Sequence, residues 1–265
     1  LTGALPAIDG SALTGIPDTI APTRHSIRPS LNLDFANSKV LDPRITFTRG
    51  SNATYYDGYT SVKAEENLLK YSQDLTDNIW EHTPTITGTV TAPDGTSTAN
   101  IVTPSTDNTL QRIQQNVRIT SGQTYTQSYF VKANGYSWVQ IMESDRFGTS
   151  DFVNFDITNG VTGNSSGSLS PTITDVGNSW YRISVTDTAT ASGDGRFILA
   201  VYNSDVVSRA SNFQGDGTNG IYIWGAQIEQ RDSLTAYTPT TSSPITKYQP
   251  ALQTAGNNVA RFDHN

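Results

Sequence analysis

Aromatic and acidic side chains gather between positions 134 and 151 of this sequence, and their chemistry is that of a sugar-holding edge. A saccharide is recognised by ring faces laid against the apolar side of a pyranose, with polar neighbours bonding its hydroxyls. Trp138 follows the turn Asn134-Gly135-Tyr136-Ser137 and precedes the polar loop Glu143 to Asp151, which predicts Tyr136, Trp138, Asp145, Arg146 and Phe147 near one edge. Tyr202-Asn203-Ser204-Asp205 and Phe213-Gln214 are expected to complete the rim, so Tyr202, Asn203, Phe213 and Gln214 join the candidate ligand-binding set. The competing reading of such rings is core packing. Trp80, Trp180 and Trp224, set within or beside alternating apolar patterns, are assigned to the core.

Catalytic strings match by letter and fail by context. Gly163-Asn164-Ser165-Ser166-Gly167 has the spacing of a nucleophile elbow, which needs a strand before it, a helix after it and a histidine base. Its surroundings read as turns, and the one downstream histidine is His264. Gly215-Asp216-Gly217-Thr218-Asn219-Gly220 has dinucleotide-loop spacing but opens a strand, not a helix. It reads as a flexible or cation-tolerant loop with Asp216 and Asn219 as oxygen donors. Glycoside hydrolysis needs two carboxylates across a cleft. Glu143 and Asp145 fall on one strand face, with Asp151 close by, and read as a solvated acidic loop. His25, His82 and His264 are isolated and there is no cysteine, so zinc, thiolate and disulfide chemistry are absent. The expectation is a chain with no catalytic residue, no metal ligand and no cofactor.

The composition agrees with a non-catalytic β protein. The chain has 265 residues, enough for one large all-β domain with extensions. It is 35% hydrophobic and 15% charged, the rest being rich in Thr, Ser, Asn, Gly and Gln. A net charge of -7 argues against nucleic acid and anionic membrane as partners, since both need a basic patch. No run approaches the roughly 20 apolar residues of a membrane helix. Residue 1 is leucine, which suggests a fragment or a processed chain.

The elements that must position the candidate edge are short strands. Apolar-polar alternation predicts them at Thr85 to Thr91, Ala99 to Val102, Gln111 to Ile119, Thr124 to Ala133, Trp138 to Glu143, Phe152 to Asp156, Thr172 to Val176, Trp180 to Thr186, Arg196 to Tyr202 and Ile221 to Glu229. Ten such strands with frequent turn signals favour a two-sheet sandwich. The polar stretch Tyr71 to Trp80 is expected to hold a short helical turn. Four regions follow: an extended arm and linker over 1–30, a short hairpin segment over 31–66 ending in an Asp57-Gly58 turn, the sandwich over 67–230, and an extended tail over 231–265. The arm repeats Leu1-Thr2-Gly3 as Leu13-Thr14-Gly15, a strip that needs neighbouring chains to bury its leucines or else serves as a linker.

Leu33-Asp34-Phe35-Ala36-Asn37, Leu41-Asp42-Pro43-Arg44-Ile45-Thr46-Phe47-Thr48-Arg49, Thr54-Tyr55-Tyr56-Asp57 and Ala260-Arg261-Phe262-Asp263-His264 resemble segments that recur in fibre and other virion proteins of tailed bacteriophages. The arm from Leu5 to Ile16 is similar to the connecting repeats of phage fibres. Asn67-Leu68-Leu69, Tyr129-Phe130-Val131-Lys132-Ala133, Trp180-Tyr181-Arg182-Ile183-Ser184 and Gly220-Ile221-Tyr222-Ile223-Trp224-Gly225-Ala226-Gln227 resemble the jelly-roll carbohydrate-binding-like modules embedded in those proteins.

The resemblance implies a virion location, a jelly-roll sandwich, a homotrimer and contacts with other virion proteins of the portal, capsid or tail. Modules of this kind often hold a structural calcium through acidic residues of the last strand. This chain departs there, with Trp224-Gly225-Ala226-Gln227, which puts that site in doubt. The Arg-Phe-Asp-His segment usually continues further, so Asn265 is expected to be a truncation or a cleavage point. The expected function is non-catalytic attachment to a host-surface glycan. The alternatives are a purely architectural role and a polysaccharide depolymerase.

Overall fold

The computed structural model describes residues 53–148, 151–205 and 207–255, with side chains from 59 to 251. The chain divides into two compact units, Leu1–Thr60 with Pro250–Asn265 and Ser61–Gln249. The expected arm, the strands around Leu33 and Ile45, and the Arg-Phe-Asp-His end lie outside the described residues.

The described residues form strands and no helix. In chain order these are β1 Ala53–Asn67, β2 Glu81–His82, β3 Thr85–Val90, β4 Ala99–Thr103, β5 Arg112–Ile119, β6 Thr124–Asn134 and β7 Trp138–Glu143. They continue as β8 Phe152–Asp156, β9 Val161–Ser166, β10 Ser170–Gly177, β11 Trp180–Thr188, β12 Gly193–Tyr202, β13 Gly220–Glu229 and β14 Ile245–Ala255. One six-stranded sheet runs β10-β11-β6-β13-β4-β3, the other β2-β5-β12-β7-β8-β9, and β1 pairs with β14 apart from both. The strands pair antiparallel in both six-stranded sheets. Successive strands β4, β5, β6 and β7 alternate between the sheets, as do β11, β12 and β13. This is a jelly-roll β-sandwich.

The space between the sheets is filled as period-two alternation requires. Val139 and Ile141 of β7, Phe197, Leu199 and Val201 of β12, and Val153 and Phe155 of β8 meet Tyr125, Tyr129 and Val131 of β6, Ile183 and Val185 of β11, and Ile221, Ile223 and Ile228 of β13. Burying each large side chain contributes about 1.5–3 kcal/mol. A bulge between Trp224 and Gln227 lets Ala226 and Ile228 return to the core, and Gly225 within it takes φ +61, where its absent Cβ also clears the Phe130 ring.

Both outer faces are covered. On the β12-β7-β8 face, Met142, Phe152, Ile198, Ala200 and Tyr202 pack under Phe213. The connection from Asn203 to Asn219 is tied down there. Gln140 donates to Asn154 Oδ1 (2.8 Å) and Ser208 O (3.2 Å), and its own Oε1 accepts the amide of Ala210 (3.0 Å). On the β11-β6-β13 face, Phe130, Trp180 and Trp224 form a second cluster with Tyr237 packed against it. Arg182 stacks on Phe130 and donates to Thr235 O (2.6 Å), while Gln227 donates to Ala236 O (3.2 Å) and accepts the amide of Thr238 (2.7 Å), pinning the tail over that face. All three tryptophans assigned to the core are buried.

Three local expectations need correction. Tyr71 to Trp80 is a run of turns: the Asp74 and Asp77 carboxylates accept the amides two residues on, a local bond that competes with a helix. Asp57 and Gly58 lie inside β1, not at a turn. The turn-like Val161–Ser166 is strand β9, an edge strand whose side chains are mostly exposed and carry no apolar alternation.

Candidate functional site

The predicted edge divides into two places. Strand β7 separates Trp138, its first residue, from Asp145, Arg146 and Phe147, which follow its last residue. Six residues at about 3.3 Å each put roughly 17–20 Å between the groups. Tyr136, Trp138, Tyr202, Asn203, Phe213 and Gln214 gather at one end of the sandwich, since Trp138 pairs with Tyr202 across β7 and β12 and Phe213 bridges to Thr109. Asp145, Arg146 and Phe147 belong to the opposite end. The expectation of a single edge therefore fails: sequence proximity across a strand is not spatial proximity.

Burial removes three of the nine residues from any open surface. Phe147 sits edge-on to Tyr125 (5.9 Å) and Phe197 (5.8 Å) in the main core. Tyr202 is fully buried, its hydroxyl donating to Ser211 O (2.8 Å), and burial holds that hydroxyl well above the usual tyrosine range. Phe213 is buried between Tyr202 and Tyr136. None of these rings offers a face to a sugar. Tyr136 is half-buried and accepts the amide of Asp216 (2.9 Å), which fixes its ring as a post under the 213–219 turn.

Trp138 is the other half-buried aromatic of the set. It is half-buried on the outer face of β7, and its six-membered ring stands so close to Gly163 of β9 that any Cβ there would overlap it. Asp205 lies against the same glycine. Its Oδ1 accepts the amide of Asn164 (2.7 Å) and the side chain of Asn154 (3.3 Å). Asn203 and Gln214 are exposed at the same end. The glycine of the nucleophile-elbow string is thus the floor beside a tryptophan, and no helix follows Ser165.

The other acidic features are resolved differently from expectation. The carboxylate of Asp216 accepts the amides of Thr218 and Asn219 (both 2.8 Å) and the side-chain amide of Asn219 (2.6 Å). Those donors hold its carboxyl below the usual range and turn the nitrogen of Asn219 toward it, so the pair caps a turn and presents no shared oxygen cage. Glu143 and Asp145 do not share a solvated face. Asp145 is exposed, whereas Glu143 continues the inward register of Val139 and Ile141 and is fully buried. Neither carboxylate oxygen of Glu143 has a hydrogen-bond partner; burial, then the charges of Asp187 and Asp151, push its carboxyl well above the ordinary range. Among the described residues no three His, Cys, Asp or Glu side chains group tightly enough to ligate one ion as they stand.

No family model matches the chain, and no curated protein matches it. Among solved structures it is similar to the enzymatically active domain of tailspike protein 4 of bacteriophage CBA120, at 14% identity and a TM-score of 0.37, over 62% of this chain and 21% of that one. It is similar to TmCBM61 in complex with β-1,4-galactotriose, at 13% identity and 0.38, over 63% of this chain and all of that one. It is also similar to a sugar-binding protein from Bacteroides thetaiotaomicron, at 10% identity and 0.32, over 62% of this chain and all of that one. The chain spans about a fifth of the length of the tailspike domain it matches.

A feature that sequence reading missed lies at the far edge of the β4-β3 sheet. A hollow of about 410 Å³ is lined by Gln73, Asp74, Thr76, Thr89, Ser97 and Asn100. Its walls carry hydroxyls, amides and the Asp74 carboxylate, without an aromatic ring. No local signal announces it, since its residues come from three separate segments.

Proposed function

We propose that this chain is a non-catalytic attachment subunit of a tailed-phage particle that holds a host-surface polysaccharide beside Trp138. The observation that carries this is the half-exposed indole set between Gly163 and Asp205, with exposed Asn203 at the same end. An aromatic surface and neighbouring carboxylate and amide oxygens are the two ingredients of sugar recognition. One such contact is weak, and copy number makes it effective: a homotrimer, itself repeated on a particle, converts weak sites into avidity. The virion setting, with portal, capsid or tail proteins as neighbours, rests on the resemblance of the terminal segments to phage fibre proteins.

Retention on a glycan array with a parallel depolymerisation assay tests the reading. The wild-type chain is expected to be retained by specific glycans without shortening them. Trp138→Ala should lose about 0.5–1.5 kcal/mol of binding, roughly three- to tenfold in retention, measured well below the variant's own melting temperature. Wild-type retention by Trp138→Ala would sink the site.

A second reading, a purely architectural subunit, is favoured by the covering of the central strands on both outer faces, which leaves only the edge strands β3, β9 and β10 bare for an extended glycan. Absence of any glycan retention would support it. Shortened chains would instead support a depolymerase. Glu143, the most perturbed carboxyl among the described residues, is enclosed between the sheets and cannot reach a polysaccharide backbone.

A further inference from the structure

Strand β2 meets β5 at Glu81–Gln114 and His82–Ile113, so from Gln115 to Arg118 the edge of β5 has no neighbouring strand among the described residues. A side chain takes the place of the missing ladder. Buried Gln115 accepts the amide of Lys70 (2.8 Å) through its Oε1 and donates to the Lys70 carbonyl (2.9 Å) through its Nε2. Those two bonds fix Lys70 beside the strand. A hollow of about 320 Å³ opens here, bordered by Lys70, Ile79, Asn116, Arg118 and Pro244. Small-ligand sites span about 300–1,000 Å³.

The lining divides by chemistry. Ile79 (39% exposed) and exposed Pro244 give an apolar side, while Lys70 and Arg118 give a cationic one. Asn116 shares the outer face of β5 with Arg118 and adds an amide, and Arg196 of β12, in register with Asn116, continues the positive ground on that face. Among the described residues no acid lines the hollow, against the trend of a chain with 24 acids to 17 basic residues. The acids around it are weakly placed or already engaged. Asp194 stands 3.6 Å from Arg118, but the two side chains are 74% and 77% exposed, a contact worth little in water. Glu81 accepts from Gln114 (2.8 Å), and Asp77 accepts the amide of Ile79 (3.0 Å). Lys70 forms an ion pair with no described carboxylate.

We propose that this hollow holds one unit of an acidic polysaccharide, a uronate, with its carboxylate between Lys70 and Arg118 and an apolar ring face toward Ile79 and Pro244. A guanidinium and an ammonium suit a carboxylate, and the aliphatic side suits the C–H face of a pyranose. A uronate supplies both groups; inorganic phosphate lacks the apolar face and a neutral hexose lacks the charge. The inference rests on the attachment reading and adds a second contact to it, remote from the first. Strand β12 carries Tyr202, paired with Trp138, near one end and Asp194, paired with Arg118, near the other. Eight residues of strand put roughly 25 Å between the two contacts, and one polymer lying across both would gain from their combination.

The test is calorimetric titration of the full chain with trigalacturonic acid and with a short glucuronate-containing hyaluronan oligosaccharide, each beside its methyl ester, which keeps the rings and loses the charge. At least one acid form is expected to bind at about 10⁻⁴–10⁻³ M, to outbind its ester about tenfold, and to weaken about threefold or more as salt rises from about 0.05 to 0.5 M. Lys70→Gln and Arg118→Gln should each weaken binding about three- to tenfold, and Asp194→Asn, which removes the competing carboxylate, should tighten it about twofold. These probes are too short to reach Trp138, so Trp138→Ala should leave this binding unchanged, and failure of the Trp138 site is read separately from failure of this one. The proposal is overturned if neither acid binds at about 10⁻² M, if the esters bind as well as the acids, if inorganic phosphate displaces the sugar at equal concentration, or if Lys70→Gln and Arg118→Gln both bind as the wild type does.

Discussion

At the scale of single residues, Glu143 shows how an inward register can impose a cost. Its carboxyl is raised above the range it would have in the unfolded chain, so the folded state holds the proton more tightly. The sign follows: this group's contribution is most favourable at pH below the unfolded value of about 4.3 and is lost as pH rises from there through the folded value. Glu143→Gln should therefore flatten the pH dependence of stability above about pH 4.3 and raise stability at neutral pH by about 1–3 kcal/mol. Urea unfolding at several pH values measures this, and an unchanged slope would count against a buried acid. The period-two pattern Val139, Ile141, Glu143 was visible in the sequence and points inward. The habit of reading an acid beside a loop as solvated hid it. Trp138 was ambiguous in the sequence, where core packing was the favoured reading, and its ring is half-buried on the outer face of β7.

At the scale of elements, strands with alternation were legible to within a few residues, and Trp138–Glu143 and Phe152–Asp156 are read without error. Elements without alternation were not. Val161–Ser166 is an edge strand with no buried face, and its identity is set by pairing with β8. The split of the candidate site has the same origin, for a strand's length separates what the sequence places side by side. The tail from Arg231 to Thr241 is held as an element by Arg182, which joins β11 to Thr235 and to Ser128 while covering Phe130. Arg182→Ala should cost about 1–3 kcal/mol and expose the tail to protease, and Arg182→Lys should restore little, since an ammonium cannot supply the planar fork and the stack together. Limited proteolysis with mass spectrometry reads the cut sites; an intact tail in Arg182→Ala would contradict the clamp.

At the scale of the whole molecule, the β1-β14 ribbon is where the proposed homotrimer can be tested. Two strands alone are marginal in water, and Val62 and Tyr248 are exposed upon them (47% and 62%). If three ribbons associate, light scattering should give three times the chain mass of 28.7 kDa, and glycan retention should weaken sharply when the oligomer is dissociated. A monomer at micromolar concentration would remove the homotrimer from the proposal. The sandwich itself was legible because every level agreed: composition, turn residues and alternation all favoured β structure. The covering of its outer faces was not, since the covering segments 203–219 and 231–241 look in sequence like ordinary polar loops.

The place of β13 has a consequence for how the protein is made. This last strand of the sandwich lies in the middle of its sheet, between β6 and β4, and Asn67 at the entrance bonds both Ala226 O (3.0 Å) and Thr238 O (2.9 Å). Until the ribosome has released residues 220–229 and the tail beyond them, the sheet is two separate pieces with two open edges. Nascent chains arrested before that point should be protease-sensitive and prone to pair with one another, and protection should arrive in a single late step.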